Sequence, residues 1–379
     1  MENWREYFCY KLGHISMVNK MKEIKVAPQS YQLQETRLQE KMEDGSETVR
    51  CHLCLWRCKL KHGQRGFCQA HVNRNGTLYN LSYGIISAID VGAIEDKPVK
   101  HFRPGTQVMS VGSYGCSFRC DGCHNLDISW GVSALDDLAK GESTSAYATP
   151  QELVDAAKRL GVQGIAFTYS EPAVWLEYVI DVSSLAKEQG LYTVYVSNSF
   201  VTNEALELMA PYVDVLCSDI KSMDDAFYYD ICKLATVDNV LASVKKAHEL
   251  GMHVETRTNI IPGKNDDVEG YRKIAQWIYD NLGADSPWHI TRFFPAYKLS
   301  HIPMTPSESL WQAHEIAVEV GLTNVYVYDD KGCDCAEQNM PVSQYLTGTA
   351  EELHQIKKCA ASCCGDEGVL LKKYEKDLT

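Results

Sequence analysis

The order of its apolar runs after residue 106 constrains this chain of 379 residues more than any other feature. TQVMSVGS, GIAFTYS, LYTVYVSNS, VDVLCSDIK, HVETRTNIIPG and WHITRFFP each have the length and apolar density of a buried strand, and helix-like segments alternate with them. Thr149-Pro150-Gln151-Glu152 supplies an N-cap, a first-turn proline and a capping glutamate. It opens a helix to about Leu160, where Gly161 stops it. Further helices are expected from Pro172 to Gln189, over DNVLASVKKAHELG with Asp238 as cap, and over DVEGYRKIAQWIYDNLG. Thr305-Pro306-Ser307-Glu308 repeats the capping pattern before a helix ending near Gly321, and NVYVYDD follows as one more strand. Strands separated by single helices imply parallel βαβ units. Six such units fit before the last strand, which predicts an α/β fold with a partial (β/α)6 barrel; a doubly wound open sheet is the alternative. In such barrels chemistry gathers where strands end and loops begin.

The barrel is expected over 106–295. Residues 1–50 read as a polar N-terminal extension with some helix, 51–105 as a small cysteine-rich metal-binding subdomain of strands and turns, and 296–379 as a small C-terminal domain. The stretch from Gly131 to Ala148 is polar and reads as a loop.

The formal net charge of -13 argues against a nucleic-acid partner, which needs clustered cations. It suits a cationic substrate somewhat better, although solubility alone explains it. The chain shows neither a cleavable signal at its start nor about 18 consecutive apolar residues, so no membrane span is expected. The 15 cysteines are odd in number and tightly grouped. Such groups read as metal ligands in a reducing compartment, and the cytoplasm is the expected location.

Cys116-Ser117-Phe118-Arg119-Cys120-Asp121-Gly122-Cys123 follows the first barrel strand directly. One short loop can wrap these three thiolates around a face of a cubane cluster. Iron–sulfur clusters normally take four thiolates, so three leave one iron open to chemistry. A structural zinc site with His124 as fourth ligand is the competing reading. Cys51, Cys54, Cys58 and Cys68 form a second group, four thiols within 18 residues. They suffice for one tetrahedral metal, zinc or a single iron; a second cluster is an alternative, and His52 is a further candidate ligand.

GCSFRCDGCHN resembles the cluster-binding motif of radical S-adenosylmethionine (SAM) enzymes, over residues from about 106 to 295. The resemblance implies a [4Fe-4S] cluster at Cys116, Cys120 and Cys123 whose open iron is chelated by SAM. Thr168-Tyr169-Ser170-Glu171-Pro172 is similar to the family's glycine-glycine-glutamate-proline segment, with both glycines replaced; Ser170 and Glu171 are thereby expected at the methionine amino group. Ser197-Asn198-Ser199 is expected at the ribose or carboxylate. Asp219-Ile220-Lys221 resembles the aspartate–lysine pair of activating enzymes, with Lys221 suited to the cofactor carboxylate. Glu255, Arg257 and Asn259 alternate along one strand and share a face, either toward the cofactor or in a buried salt-bridge network. Tyr114 stands near the open iron or simply packs at the strand end.

CHLCLWRCKLKHGQRGFC, NGTLYNLSYG and DKPVKHFRPG resemble a subgroup related to pyruvate formate-lyase activating enzymes. With FTYSEPAVWLEY and HITRFFPAY they also resemble the methanogenesis marker methyltransferase family. That resemblance implies cobalamin as methyl carrier and C-methylation of an arginine in the methyl-coenzyme M reductase alpha subunit, with an external electron donor. The alternative is a glycyl-radical activating enzyme without cobalamin. Cobalamin is expected at the C-terminal segment and barrel mouth. Cys333, Cys335, Cys359, Cys363 and Cys364 are expected there as free or partly buried thiols.

Overall fold

The computed structural model describes residues 33–329, apart from 44, 45, 144 and 235. Its sheet has eight strands in chain order: Ala88–Ala93, Gln107–Gly112, Gly164–Phe167, Tyr192–Ser197, Val215–Asp219, His253–Ile260, Trp288–Arg292 and Val325–Tyr328. The first two pair antiparallel, and every later neighbour is parallel. The helices Pro150–Arg159, Leu176–Glu188, Asn203–Met209, Asp238–Glu249 and Val268–Leu282 connect the parallel strands, and Ser307–Val320 leads into the last. The two outer strands do not meet, so this is the expected α/β fold with an incomplete barrel. The sheet also reaches back of residue 106, because Ala88–Ala93 pairs with Gln107–Gly112.

Burial explains why these segments take these forms. Gly164–Phe167 is buried throughout, as a strand covered on both faces must be. Val268–Leu282 buries Tyr271, Ile274, Ala275, Ile278 and Leu282, a helical stripe facing the sheet. At Pro150–Arg159 the expected capping box is formed, the Thr149 side chain and Glu152 satisfying each other's backbone N–H. Thr149→Ala is expected to cost about 1 kcal/mol, read as a lower Tm in calorimetry.

Three local expectations are corrected. Gly131–Ala148 contains the helix Val132–Lys140, which buries Leu135 and Leu138 and ends at a left-handed Gly141. The apolar spacing Leu135, Leu138 was too sparse against polar neighbours to stand out. Asp238 is the first helical residue rather than the cap, which is Val237 without a capping side chain. Thr305 caps nothing either: its hydroxyl accepts from Phe293 N at 2.8 Å and reaches the Ile260 carbonyl, fastening two strand ends.

The described part of 1–50 carries strands. Gln34–Glu35, Thr77–Asn80 and His71–Arg74 make one small sheet, and Gln39–Lys41, Val49–Cys51 and Lys59–Leu60 another. Fully buried Glu177 in the helix Leu176–Glu188 ties them to the barrel, accepting from Arg37 N at 3.0 Å and Asn80 Nδ2 at 3.2 Å. No described helix is long and apolar enough to cross a membrane.

Candidate active site at the carboxyl ends of the strands

The loop after Gln107–Gly112 carries Cys116, Cys120 and Cys123, all partly exposed free thiols. Gly115 has φ +104, and a Cβ there would stand 2.9 Å from the Cys68 carbonyl, so only glycine fits. Gly122 lies so close to Leu299 that a side chain would push against it at 3.0 Å. The far side of the loop docks on a π-helical turn, Tyr228–Cys232: Arg119 N donates to the Cys232 carbonyl at 3.2 Å and Asp121 N to Ile231 at 2.9 Å. Single π-turns recur at functional sites.

The Arg119 guanidinium was missed by the sequence reading. It donates to the carbonyls of Cys116, Phe118 and Ser129 and, at 2.7 Å, to that of Phe67. It therefore fixes the loop from inside. Cys232 was missed too. The hydrogen bond from its buried thiol, then Lys221, holds the Cys120 thiol below its ordinary range against burial. A lone cysteine inside a helix-like segment gives no sequence signal of this. Burial pushes Cys116 well up and Cys123 up.

Four further strand ends converge on this loop. Glu171 is buried; its Oε1 accepts from Ala173 N at 2.9 Å and Ser197 Oγ at 2.8 Å, and its Oε2 from Asn198 N at 2.9 Å. Burial pushes its carboxyl up to about 7. Ser170 is part-buried beside it. Tyr169 has φ +68, so the backbone keeps a glycine-like conformation although glycine is gone. Its carbonyl accepts from Asn125 Nδ2 at 2.8 Å. Asn198 Nδ2 lies 3.1 Å from Ser117 Oγ and 3.7 Å from the Cys116 sulfur.

Asp219 pairs with Lys221 Nζ at 2.7 Å and with Arg257 Nε at 3.4 Å. Burial opposes its ionisation, but Arg257 and Lys221 hold its carboxyl below the usual range. Asp219 Oδ1 and Arg257 Nε are buried without a hydrogen-bond partner in the described structure. Charged groups of both signs beside three thiols, with Asp219 Oδ1 and Arg257 Nε held only by each other as an ion pair, suit a ligand with an amino and a carboxylate group.

Asn259 lies part-buried further along the same strand as Arg257, 3.4 Å from Thr291 Oγ1. Glu255 shares their face but not their surroundings. It accepts from the backbone N–H of Lys100 and His101 and from His253 and His289, within 2.7–3.1 Å. It is thus spent on the 98–101 loop and two histidines, the buried network rather than the cofactor contact of the two places expected for it. Tyr114 packs against Gly131, and its hydroxyl lies 3.5 Å from Ser145 Oγ, the packing role of the two expected.

A family model described as the radical SAM superfamily matches residues 110–275. An uncharacterized protein of Methanocaldococcus jannaschii is 39% identical over 297 residues, 78% of this chain and 85% of that protein. The chain belongs to the radical SAM superfamily. A pyruvate formate-lyase-activating enzyme of Clostridium pasteurianum is 28% identical over 177 residues, covering 46% of this chain and 70% of the enzyme. A radical SAM methyltransferase structure from Sphaerobacter thermophilus aligns with a TM-score of 0.46 at 14% identity, over 79% of this chain and 78% of that one.

Membership in this radical SAM family implies a [4Fe-4S] cluster and SAM, and the residues present fit both: three thiols on one loop, and charged groups of both signs at the strand ends. Of the second expected metal group, Cys51, Cys54 and Cys68 are buried and Cys58 is half-buried, all four as free thiols. The C-terminal cysteines and most of the region expected to bind cobalamin lie outside the described residues.

In this radical SAM protein Lys221→Ala is expected to weaken SAM binding about 10- to 100-fold, the worth of a charged hydrogen bond. Equilibrium dialysis with the anaerobic protein checks it.

Proposed function

We propose that this radical SAM protein activates a partner polypeptide by removing hydrogen from a backbone glycine, as an activating enzyme without cobalamin. The observation that carries this reading is the half-buried Asp219–Lys221 pair at 2.7 Å, whose lysine acts electrostatically on the cluster cysteine Cys120. It is the pair by which the sequence resembles activating enzymes. Relatives named as activating enzymes for pyruvate formate-lyase and (2S)-3-sulfopropanediol dehydratase support it.

When bound, the cluster and SAM together supply a 5′-deoxyadenosyl radical that takes hydrogen from carbon. The protein's own groups do the rest. Lys221 and Arg257, now paired with Asp219, would meet a carboxylate, Asp219 and Glu171 would receive an ammonium, and Asn198 Nδ2 stands 3.7 Å from the Cys116 sulfur. Ionised Glu171 is the form that pairs with an ammonium, so SAM affinity should rise as pH passes upward through about 7.

The test is anaerobic turnover with SAM, reductant and a glycine-deuterated candidate polypeptide, with and without added cobalamin. Deuterium in 5′-deoxyadenosine and a glycyl radical signal, both independent of cobalamin, are expected. Cobalamin-dependent methylation of an arginine in a methyl-coenzyme M reductase alpha-subunit peptide would overturn the reading in favour of protein methyl transfer.

A further inference from the structure

We infer that Asp121 is a positioning residue: it locks the cluster loop into the barrel rim and, by neutralising charge on Lys233 and Lys298, sets the reduction potential of the centre that the loop holds. The inference goes beyond the proposed function and holds for any substrate.

Every polar group of Asp121 is engaged. The residue follows Cys120 directly and stands two before Cys123. Its N–H donates to the Ile231 carbonyl at 2.9 Å, and its own carbonyl accepts from Lys298 N at 3.0 Å. Its Oδ2 accepts from Lys233 Nζ at 2.8 Å and its Oδ1 from Lys298 Nζ at 3.0 Å. One side chain thus joins the cluster loop to the π-helical turn Tyr228–Cys232 and to the short turn Tyr297–Leu299, two segments remote from it in sequence. A lone surface ion pair is worth little, because water screens it and two side chains must be ordered. Here the carboxylate is only 14% exposed and takes two ammonium groups at once.

The chain accepts backbone strain to deliver both lysines. Lys233 has φ +63, and Tyr297, directly before Lys298, has φ +47. Left-handed backbone is unfavourable for a residue with a Cβ, a bulky one above all. Such outliers persist where their surroundings over-determine them, and they gather at functional sites. The surroundings are present at both. Lys233 Nζ also reaches the Asp230 carbonyl. The Tyr297 ring meets Trp130 edge-on at 5.3 Å and lies 5.4 Å from Lys298 Nζ. Beside them Leu299 occupies the space that a side chain on residue 122 would need.

The charges have a consequence for electron uptake. Two ammonium groups and one carboxylate leave a single net positive charge beside the loop. Reduction adds negative charge to an iron–sulfur centre, so its potential rises with the positive charge around it. Asp121 holds that charge down.

The test is an anaerobic redox titration of the cluster-loaded full-length protein, followed by EPR. Asp121→Asn should shift the reduction equilibrium about tenfold toward the reduced form, about 59 mV upward for one electron. Lys233→Gln should shift it downward. Lys298→Gln should do so by less, because Lys298 is exposed and its charge better screened. Asp121→Glu keeps the charge and should stay near wild type. A purely structural role would move Asn and Glu alike and would not give opposite signs for the aspartate and the lysines. Iron release to an added chelator reads the lock, and Asp121→Asn should lose iron several-fold faster than wild type. Wild-type potentials in both Asp121→Asn and Lys233→Gln overturn the electrostatic role, and equal iron release overturns the lock. Should Asp121→Asn fail to hold a cluster, Lys233→Gln decides: a downward shift supports the inference, and an unchanged or raised potential overturns it.

Discussion

Replacing Cys120 with alanine is expected to abolish reductive cleavage of SAM and to remove most of the cluster's visible absorption. Iron–sulfur clusters rest on cysteine thiolates, and the loop offers three. Two cannot keep a cluster and still leave an iron open. The loop itself should survive the change, because Arg119 and the turn Tyr228–Cys232 hold its backbone independently of the sulfur. The buried Cys232 thiol hydrogen-bonds Cys120 and is a candidate replacement ligand. The Cys120→Ala/Cys232→Ala double variant therefore controls for ligand exchange. Chromatographic detection of 5′-deoxyadenosine decides: cleavage by the double variant at the wild-type rate would remove Cys120 from the cluster.

Glu255→Gln should destabilise the fold by about 3–5 kcal/mol, the cost of removing one partner from a buried charged network. The carboxylate is fully buried and receives two backbone N–H groups and two histidines. An amide cannot accept from all of them, and its own NH2 confronts donors. Burial opposes ionisation, yet the bonds from His253 and His289 hold the carboxyl at about 2, against 4.5 unperturbed. A carboxyl depressed on folding contributes stability above its unfolded value. That stability, ~3 kcal/mol, disappears as pH falls from about 4.5 toward 2. Urea unfolding of wild type and variant at neutral and acidic pH measures both effects, and the two proteins should converge in acid. SAM binding by the folded variant should be unchanged. Native stability with lost SAM binding would return Glu255 to the cofactor.

Period and capping made the barrel legible. Buried runs such as Gly164–Phe167 and the box at Thr149 and Glu152 carry local signals strong enough to survive tertiary packing. The cysteine spacing likewise placed the catalytic loop. What escaped was set by long-range contact. Glu255 and Arg257 share a face by period, but the 98–101 loop, some 155 residues away in sequence, decides that one is consumed and the other is not. Arg119 looks like a polar spacer in its motif, and its role depends on carbonyls from two segments. Thr305 presents a capping pattern, yet the strand ends claimed its hydroxyl.

The eight-stranded sheet has its neighbours in the order of translation. Its first pair is a hairpin, which closes a short loop and forms early. Each later strand then needs one crossover to reach an edge already in place. Assembly can therefore proceed from the amino end while the ribosome is still adding the carboxyl end, and no strand has to wait for a distant mate before it finds shelter.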